Sequence, residues 1–141
     1  MSIEQNKATV RRFHEFFDQG DISGCRSLLA HNCTAYRAGM PPLNLEAFMQ
    51  LGTMFVTAFG DGHTLLEDIV AEGNVVYARG TWNATHRGDF NGIPATGKHI
   101  TITFIVLHRF ENGKIVENRE EADILGLLQQ LGAVPTPQMG D

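Results

Sequence analysis

The sequence is short of most features that announce a function. It holds only two cysteines, Cys25 and Cys33, with no CxxC and no Cys/His cluster beside them. A disulfide framework or zinc site is therefore not indicated, and reduced thiols in or near the core are expected. The six histidines form no HxH, HxxxH or HExxH pattern. GxGxxG, GxxxxGK(S/T) and GxSxG are absent too, which removes the usual support for nucleotide folds and for the α/β-hydrolase elbow. Basic residues are scarce, 11 against 16 acids for a net charge of −5, which argues against nucleic acid as a partner. No apolar run approaches the ~20 residues of a membrane span. Met1 to Lys7 contain no apolar signal core, so the cytoplasm is the expected compartment.

What is present suffices for one ordinary domain. Of 141 residues, 43% are hydrophobic and 19% charged, enough apolar material to bury a core. The pattern predicts a single domain over 1–134 and a mobile tail over 135–141. Ser2-Ile3-Glu4-Gln5 reads as a capping box for a helix carrying Val10, Phe13, Phe16 and Phe17, stopped at Gly20. Asp21 caps a short second helix with Leu28 and Leu29. His31 to Ala38 reads as a strand. Asn44 caps a third helix, ended by Gly60-Asp61-Gly62. Four strands follow, at 64–71, 75–87, 98–110 and 114–124, before a closing helix at 125–131. Asn112-Gly113 is the clearest hairpin signal, because Asn-Gly accepts the positive φ values of a type I′ turn. Helices first and a long meander after predict an α+β domain in which helices cover one face of a curved sheet. The closed apolar interior of such a cone suits a small, largely apolar ligand.

The hairpins allow a register estimate. Even positions of both central strands are apolar (Val76, Ala78, Trp82, Ala84; Ile100, Ile102, Phe104, Val106) and should face the interior. A two-residue turn at Asn112-Gly113 sets Ile102 opposite Asp123, so Asp123 points inward. Pairing Gly88 with Lys98 sets Ala84 beside Ile102 and His86 beside Ile100. His86 and Asp123 then converge at one end of the interior, while His108 falls opposite Glu117, roughly 20 Å away by strand rise. The same register turns Glu117, Arg119 and Glu121 inward. That is too many charges, and it predicts a bulge between Arg119 and Asp123.

A carboxylate facing an apolar cavity is costly to ionise and becomes a useful proton carrier, which a nearby imidazole can orient. Asp123 equally suits the N-cap of the closing helix. His86 equally suits a hydrogen-bonded core histidine. His14 and His63 carry no signal, and His99 and His108 read as structural or exposed.

At these residues the chain resembles a family. Thr85-His86-Arg87-Gly88-Asp89-Phe90-Asn91-Gly92-Ile93-Pro94-Ala95-Thr96-Gly97-Lys98 is similar to the THxGxFxGIPxTGK stretch of SnoaL-like polyketide (ester) cyclases. Asn112-Gly113-Lys114-Ile115-Val116-Glu117, then Asp123, then Leu125 to Gly132, is similar to the same family's GKIxE…D…LLxQLG ending. The resemblance implies the cone-shaped, cystatin-like α+β barrel of the nuclear transport factor 2-like superfamily. Scytalone dehydratase, ketosteroid isomerase and limonene epoxide hydrolase share that fold with different chemistries. It also implies a general acid/base aspartate at Asp123, driving intramolecular aldol ring closure without metal or cofactor, and a recurrent histidine at His86. The chain departs from the family at Arg119, where members often carry an aromatic residue.

Three readings follow. In the first, a cofactor-independent cyclase, isomerase or lyase uses Asp123 and His86, with Trp82, Phe104, Ile102 and Phe16 or Phe17 as apolar walls and Arg119 as a further contact. In the second, a hydrolase uses the same carboxylate on an epoxide or ester, with Asn83, Thr85 and Arg119 as candidates to hold water. The third is a non-catalytic binding module, favoured if Asp123 is tied up as a helix cap. A homodimer is expected, partly from the superfamily and partly because Thr101, Ile105 and Leu107 lie on the outer face of a central strand.

Overall fold

The computed structural model describes residues 2–137. The Ser2 hydroxyl accepts from the Gln5 amide while the Gln5 side chain accepts from the Ser2 amide, which starts α1 (Ile3–Asp18). The Asp21 carboxylate takes the Gly24 amide at 2.7 Å and starts α2 (Ile22–Ser27). Leu28 and Leu29, expected in this helix, lie beyond it, and Leu29 opens β1 (Leu29–Arg37). Asn44 caps α3 (Leu45–Ala58) through the Ala47 amide at 2.9 Å.

Gly60-Asp61-Gly62 does not end α3 by a turn. The helix runs directly into β2 (Phe59–Glu72), and these residues sit inside the strand. The register of β2 shifts between Gly60 and His63, and Asp61 takes a φ of 55°, so the positive-φ residue serves a bulge. β3 (Val75–His86), β4 (His99–Glu111) and β5 (Lys114–Ala122) follow, and α4 (Ile124–Gln130) closes the fold. Asn112 and Gly113 turn with φ of 51° and 76°, as the hairpin motif requires.

The strands form one sheet in the order β1-β5-β4-β3-β2, with β1 parallel to β5 and the remaining pairs antiparallel. The result is the α+β architecture expected, a mixed sheet with the N-terminal helices packed against it. Val76, Ala78, Trp82 and Ala84 are buried on β3, and Ile100, Ile102, Phe104 and Val106 on β4. The β3–β4 register differs by two residues from expectation: Ala84 faces Ile100 and Trp82 faces Ile102. A two-residue slip preserves parity, so the predicted inner face stands.

The β4–β5 register differs in a way that matters more. Glu111 pairs with Lys114 and Phe110 with Ile115, but Arg109 pairs with Glu117, which leaves Val116 as an extra residue. Phe104 therefore faces Ala122, and His108 faces Asn118. The bulge comes at the start of the strand rather than between Arg119 and Asp123. Asn118, Glu120 and Ala122 turn inward in place of Glu117, Arg119 and Glu121.

The chain leaves the sheet at Asp123, whose amide still donates to Thr103 O at 3.0 Å. Fully buried Leu127 then anchors α4 on the core, a burial worth about 2 kcal/mol. Residues 135–137 of the expected mobile tail carry no regular structure, although Pro135 O accepts from Gln129 Nε2 at 3.4 Å. The rest of that tail, 138–141, lies outside the described residues. Among the described residues no helix is long and apolar enough to cross a membrane.

Candidate active site

Between α1, α3 and the inner sheet face lies a cavity of about 120 Å³. Its walls are mainly apolar, with Phe13, Phe17, Phe48, Trp82, Ile102 and Phe104 among them. Four of the residues singled out in the sequence, Trp82, Ile102, Phe104 and Phe17, therefore share one chamber. Phe16 does not line it. Its ring packs against Gly24, where an added Cβ would lie 2.5 Å away, and the Arg12 guanidinium sits over it.

The polar groups of the chamber come from four elements. α1 supplies His14, β1 supplies Arg37, β2 supplies Thr64 and β5 supplies Glu120. Arg37 Nε lies 3.5 Å from the Glu120 carboxylate, with side-chain exposures of 17% and 25%. Arg37 Nη1 donates to Tyr36 O at 3.0 Å and to Asn118 Oδ1 at 2.6 Å, and the guanidinium lies over the Phe48 ring. Both Nη1 donors are thus committed, and Nε faces Glu120. The Nη2 donors have no hydrogen-bond partner among the described residues.

A buried imidazole pair lies beneath this ion pair. Arginine only donates, so the oxygen of Asn118 must face Arg37 and its amide nitrogen must face His108, at 3.3 Å from Nδ1. His108 Nδ1 is then the acceptor, and the neutral ring carries its proton on Nε2. The His14 ring stacks on Phe104 at 5.5 Å and meets the His108 ring edge-on at 6.1 Å. Burial pulls the His14 pKa down to about 4. Burial, followed by the charges of His14 and Arg37, holds His108 well below the usual histidine range. Both rings are neutral at pH 7 and add no positive charge to the chamber.

These shifts make a stability prediction. Between about pH 6.5 and 4 the unfolded His14 binds protons that the folded form does not. Stability is therefore fully present above pH 6.5 and falls as the pH drops, by up to about 3 kcal/mol from His14. His108 acts in the same direction. Melting temperatures measured from pH 7 to 4.5 should fall steeply for the parent chain and less steeply for His14→Leu. Parallel slopes would refute the assignment.

Cys25 also touches the chamber, but its thiol donates to Phe13 O at 3.5 Å and burial pushes its pKa up to about 12. It is a packed thiol and no nucleophile at neutral pH. Both cysteines are free and buried. Among the described residues, no three His, Cys, Asp or Glu side chains assemble as a metal cluster.

Asp123 and His86 are not brought together here. The Asp123 side chain turns back to accept the Gly126 amide at 2.8 Å and caps α4. Gly126 is needed for that turn, since a Cβ there would lie 2.1 Å from an Asp123 carboxylate oxygen. The cavity lining runs Glu120, Ala122, Ile124 and skips Asp123, which is exposed. The expected convergence fails because the early bulge reverses the parity on which it depended.

His86 is fully buried against Phe59, at 5.3 Å between ring centroids. Its Nδ1 accepts the Thr96 amide at 3.1 Å, while its backbone bonds Lys98 O and Gly97 N, each at 2.9 Å. The imidazole thus braces the folded loop 87–98. Arg119 lies on the outer face, 3.7 Å above the Tyr36 ring and hydrogen-bonded to Glu117 at 2.5 Å. Asn83 is also on that face, accepting from Thr101 at 2.6 Å. The water-holding groups weighed for a hydrolase do not gather at the cavity.

His14, Arg37 and Glu120 were missed in the sequence. His14 had a signal: Asn6, Val10 and His14 are the buried positions of α1, one stripe at i, i+4, i+8, and a polar residue on an apolar stripe invites attention. Arg37 and Glu120 had none short of the bulge and the parallel pairing of β1 with β5.

The SnoaL-like polyketide cyclase profile matches residues 7–131. The aklanonic acid methyl ester cyclase DauD of Streptomyces sp. (strain C5) is 32% identical over 92% of this chain and 83% of its own length. The aklanonic acid methyl ester cyclase DnrD of Streptomyces peucetius is 36% identical over 66% of each chain. AclR from Streptomyces galilaeus superposes with a TM-score of 0.90 at 26% identity, over 98% of this chain and 91% of its own. With the motif loop, the mixed sheet and the apolar chamber in place, the chain belongs to the SnoaL-like polyketide cyclase family.

Proposed function

We propose that this chain is a cofactor-independent cyclase that closes a ring by intramolecular aldol addition on a small carbonyl compound, as the names of DauD and DnrD suggest for an ester substrate. The observation that carries this reading is the Glu120–Arg37 ion pair set in the wall of an otherwise apolar chamber. Glu120 takes the proton from a carbon next to a carbonyl. The Arg37 Nη2 donors stabilise the enolate oxygen, and the enolate carbon then bonds to the second carbonyl carbon. The resulting alkoxide takes up the proton held by Glu120, which restores the carboxylate, while neutral His14 lies in the same chamber to hydrogen-bond the forming hydroxyl. In this reading Asp123 and His86 hold the surrounding fold, one by capping α4 and one by bracing loop 87–98.

The proposal includes a cytoplasmic homodimer. Tyr77 and Ile105 are 47% and 51% exposed on the outer face of the central strands, and Val70, paired with Tyr77, is 60% exposed. Such a strip ordinarily meets a partner.

A binding module is the second reading, favoured by the capping role of Asp123. Incubation with aklanonic acid methyl ester in D2O separates the two. A cyclase gives ring-closed product and enzyme-dependent deuterium at the carbon that Glu120 deprotonates. Saturable binding with neither exchange nor product would establish the module.

A further inference from the structure

A second cleft, of about 190 Å³, shares Phe17 and Trp82 with the main chamber and lies between the end of α1, Val56 of α3 and the Gly60–Gly62 bulge of β2. Its carboxylates are committed. Asp18 accepts from the Thr64 amide and hydroxyl, both at 2.7 Å, and Asp61 is paired with Arg87. The indole of Trp82 is the exception. The residue is 7% exposed, and its shielded Nε1–H has no hydrogen-bond partner among the described residues. Buried indole N–H groups ordinarily have an acceptor, because losing water without replacement is costly. Gly62, in the lining of the same cleft, lies directly against that donor: a Cβ there would lie 3.1 Å from Nε1.

We propose that this cleft is a second ligand subsite that takes an aryl ketone or aryl ester, whose carbonyl oxygen accepts from Trp82 Nε1–H while its ring lies against Phe17 and Phe59. The chemistry selects such a ligand on three counts. The unpartnered indole donor calls for an acceptor, the two carboxylates disfavour an anion, and Phe17, Phe59 and Trp82 supply aromatic wall. The subsite does not rest on the cyclase reading and stands or falls apart from it.

The sequence contains one tryptophan, so one indole cross-peak in a 1H–15N correlation spectrum reports on this donor alone. Methyl benzoate is the probe, with ethylbenzene as the partner of similar shape that lacks the acceptor. Methyl benzoate should move the indole proton downfield and saturably, together with the Gly60 and Gly62 amides, and ethylbenzene should not move it. Gly62→Ala should weaken methyl benzoate by about tenfold or more. Trp82→Phe, which keeps a ring and removes the donor, should bring the two ligands to equal affinity. Several results overturn the proposal: an unmoved indole proton, an equal shift from ethylbenzene, undiminished affinity in Gly62→Ala, or shifts confined to main-chamber residues such as Leu51 and Ala122.

Discussion

Glu120→Gln is expected to lower kcat for ring closure by about 10²–10⁴-fold, the usual worth of a positioned general base, while Asp123→Asn leaves kcat within a factor of about two. The two substitutions make the same chemical change, a carboxylate to its amide, at sites with opposite surroundings. Gln at 120 keeps the shape and can still accept from Arg37, but it cannot take a proton from carbon. Asn at 123 can still accept the Gly126 amide, since Asn and Asp are comparable caps. Asp123→Ala should differ from Asp123→Asn in stability and not in chemistry, losing about 1 kcal/mol with the cap. Steady-state kinetics and thermal melts on the three variants decide the matter. A large kcat loss in Asp123→Asn with an active Glu120→Gln would place the acid/base at the aspartate that the family resemblance implies, and would require α4 to release its cap during turnover.

The largest loss of stability is expected from Gly80→Ala, about 3 kcal/mol or roughly 10 °C in melting temperature. A Cβ at position 80 would lie 2.2 Å from the Leu65 carbonyl oxygen and 3.1 Å from the Phe104 ring. The oxygen cannot retreat, because Leu65 and Leu66 are held in the β2–β3 ladder beside a register shift at Leu66–Asp68. Gly52→Ala makes a useful contrast. That glycine sits inside α3, where alanine is the better helix former, and its nearest neighbour is the mobile end of Ile22 at 3.2 Å. It should melt at or above the parent temperature. Equal melting temperatures for the two variants would mean that the close approach of β2 to β3 relaxes without cost.

The pattern of legibility follows from what each signal depends on. Ser2, Asp21, Asn44 and the Asn112-Gly113 turn were readable because caps and tight turns are satisfied within three or four residues. The inner faces of β3 and β4 were readable because alternation survives a two-residue slip. Glu120 was not readable, because a single extra residue, Val116, inverts every side chain after it. Nothing local marks Val116, whose bulge is decided by how β5 meets both β4 and β1. The same dependence misplaced Asp123 and Arg119, and it hid the ion pair that now carries the proposed chemistry. Gly60-Asp61-Gly62 misled for a related reason: a positive φ serves a helix stop and a strand bulge equally well, and only the neighbouring strand distinguishes them.

The parallel pairing of β1 with β5 also orders events in time. Arg37 comes from the first strand and Glu120 from the last, so the chain must close a loop of some eighty residues before the two charges meet. The β4–β5 hairpin can form on its own turn, but β1 has no other strand in the sheet to join. On the ribosome, the opening strand must wait, with one edge unsatisfied, until nearly the whole domain has emerged. The wall that carries the Arg37–Glu120 pair is thus the last part of the sheet to be completed, and a nascent chain has no chamber to offer a ligand before then.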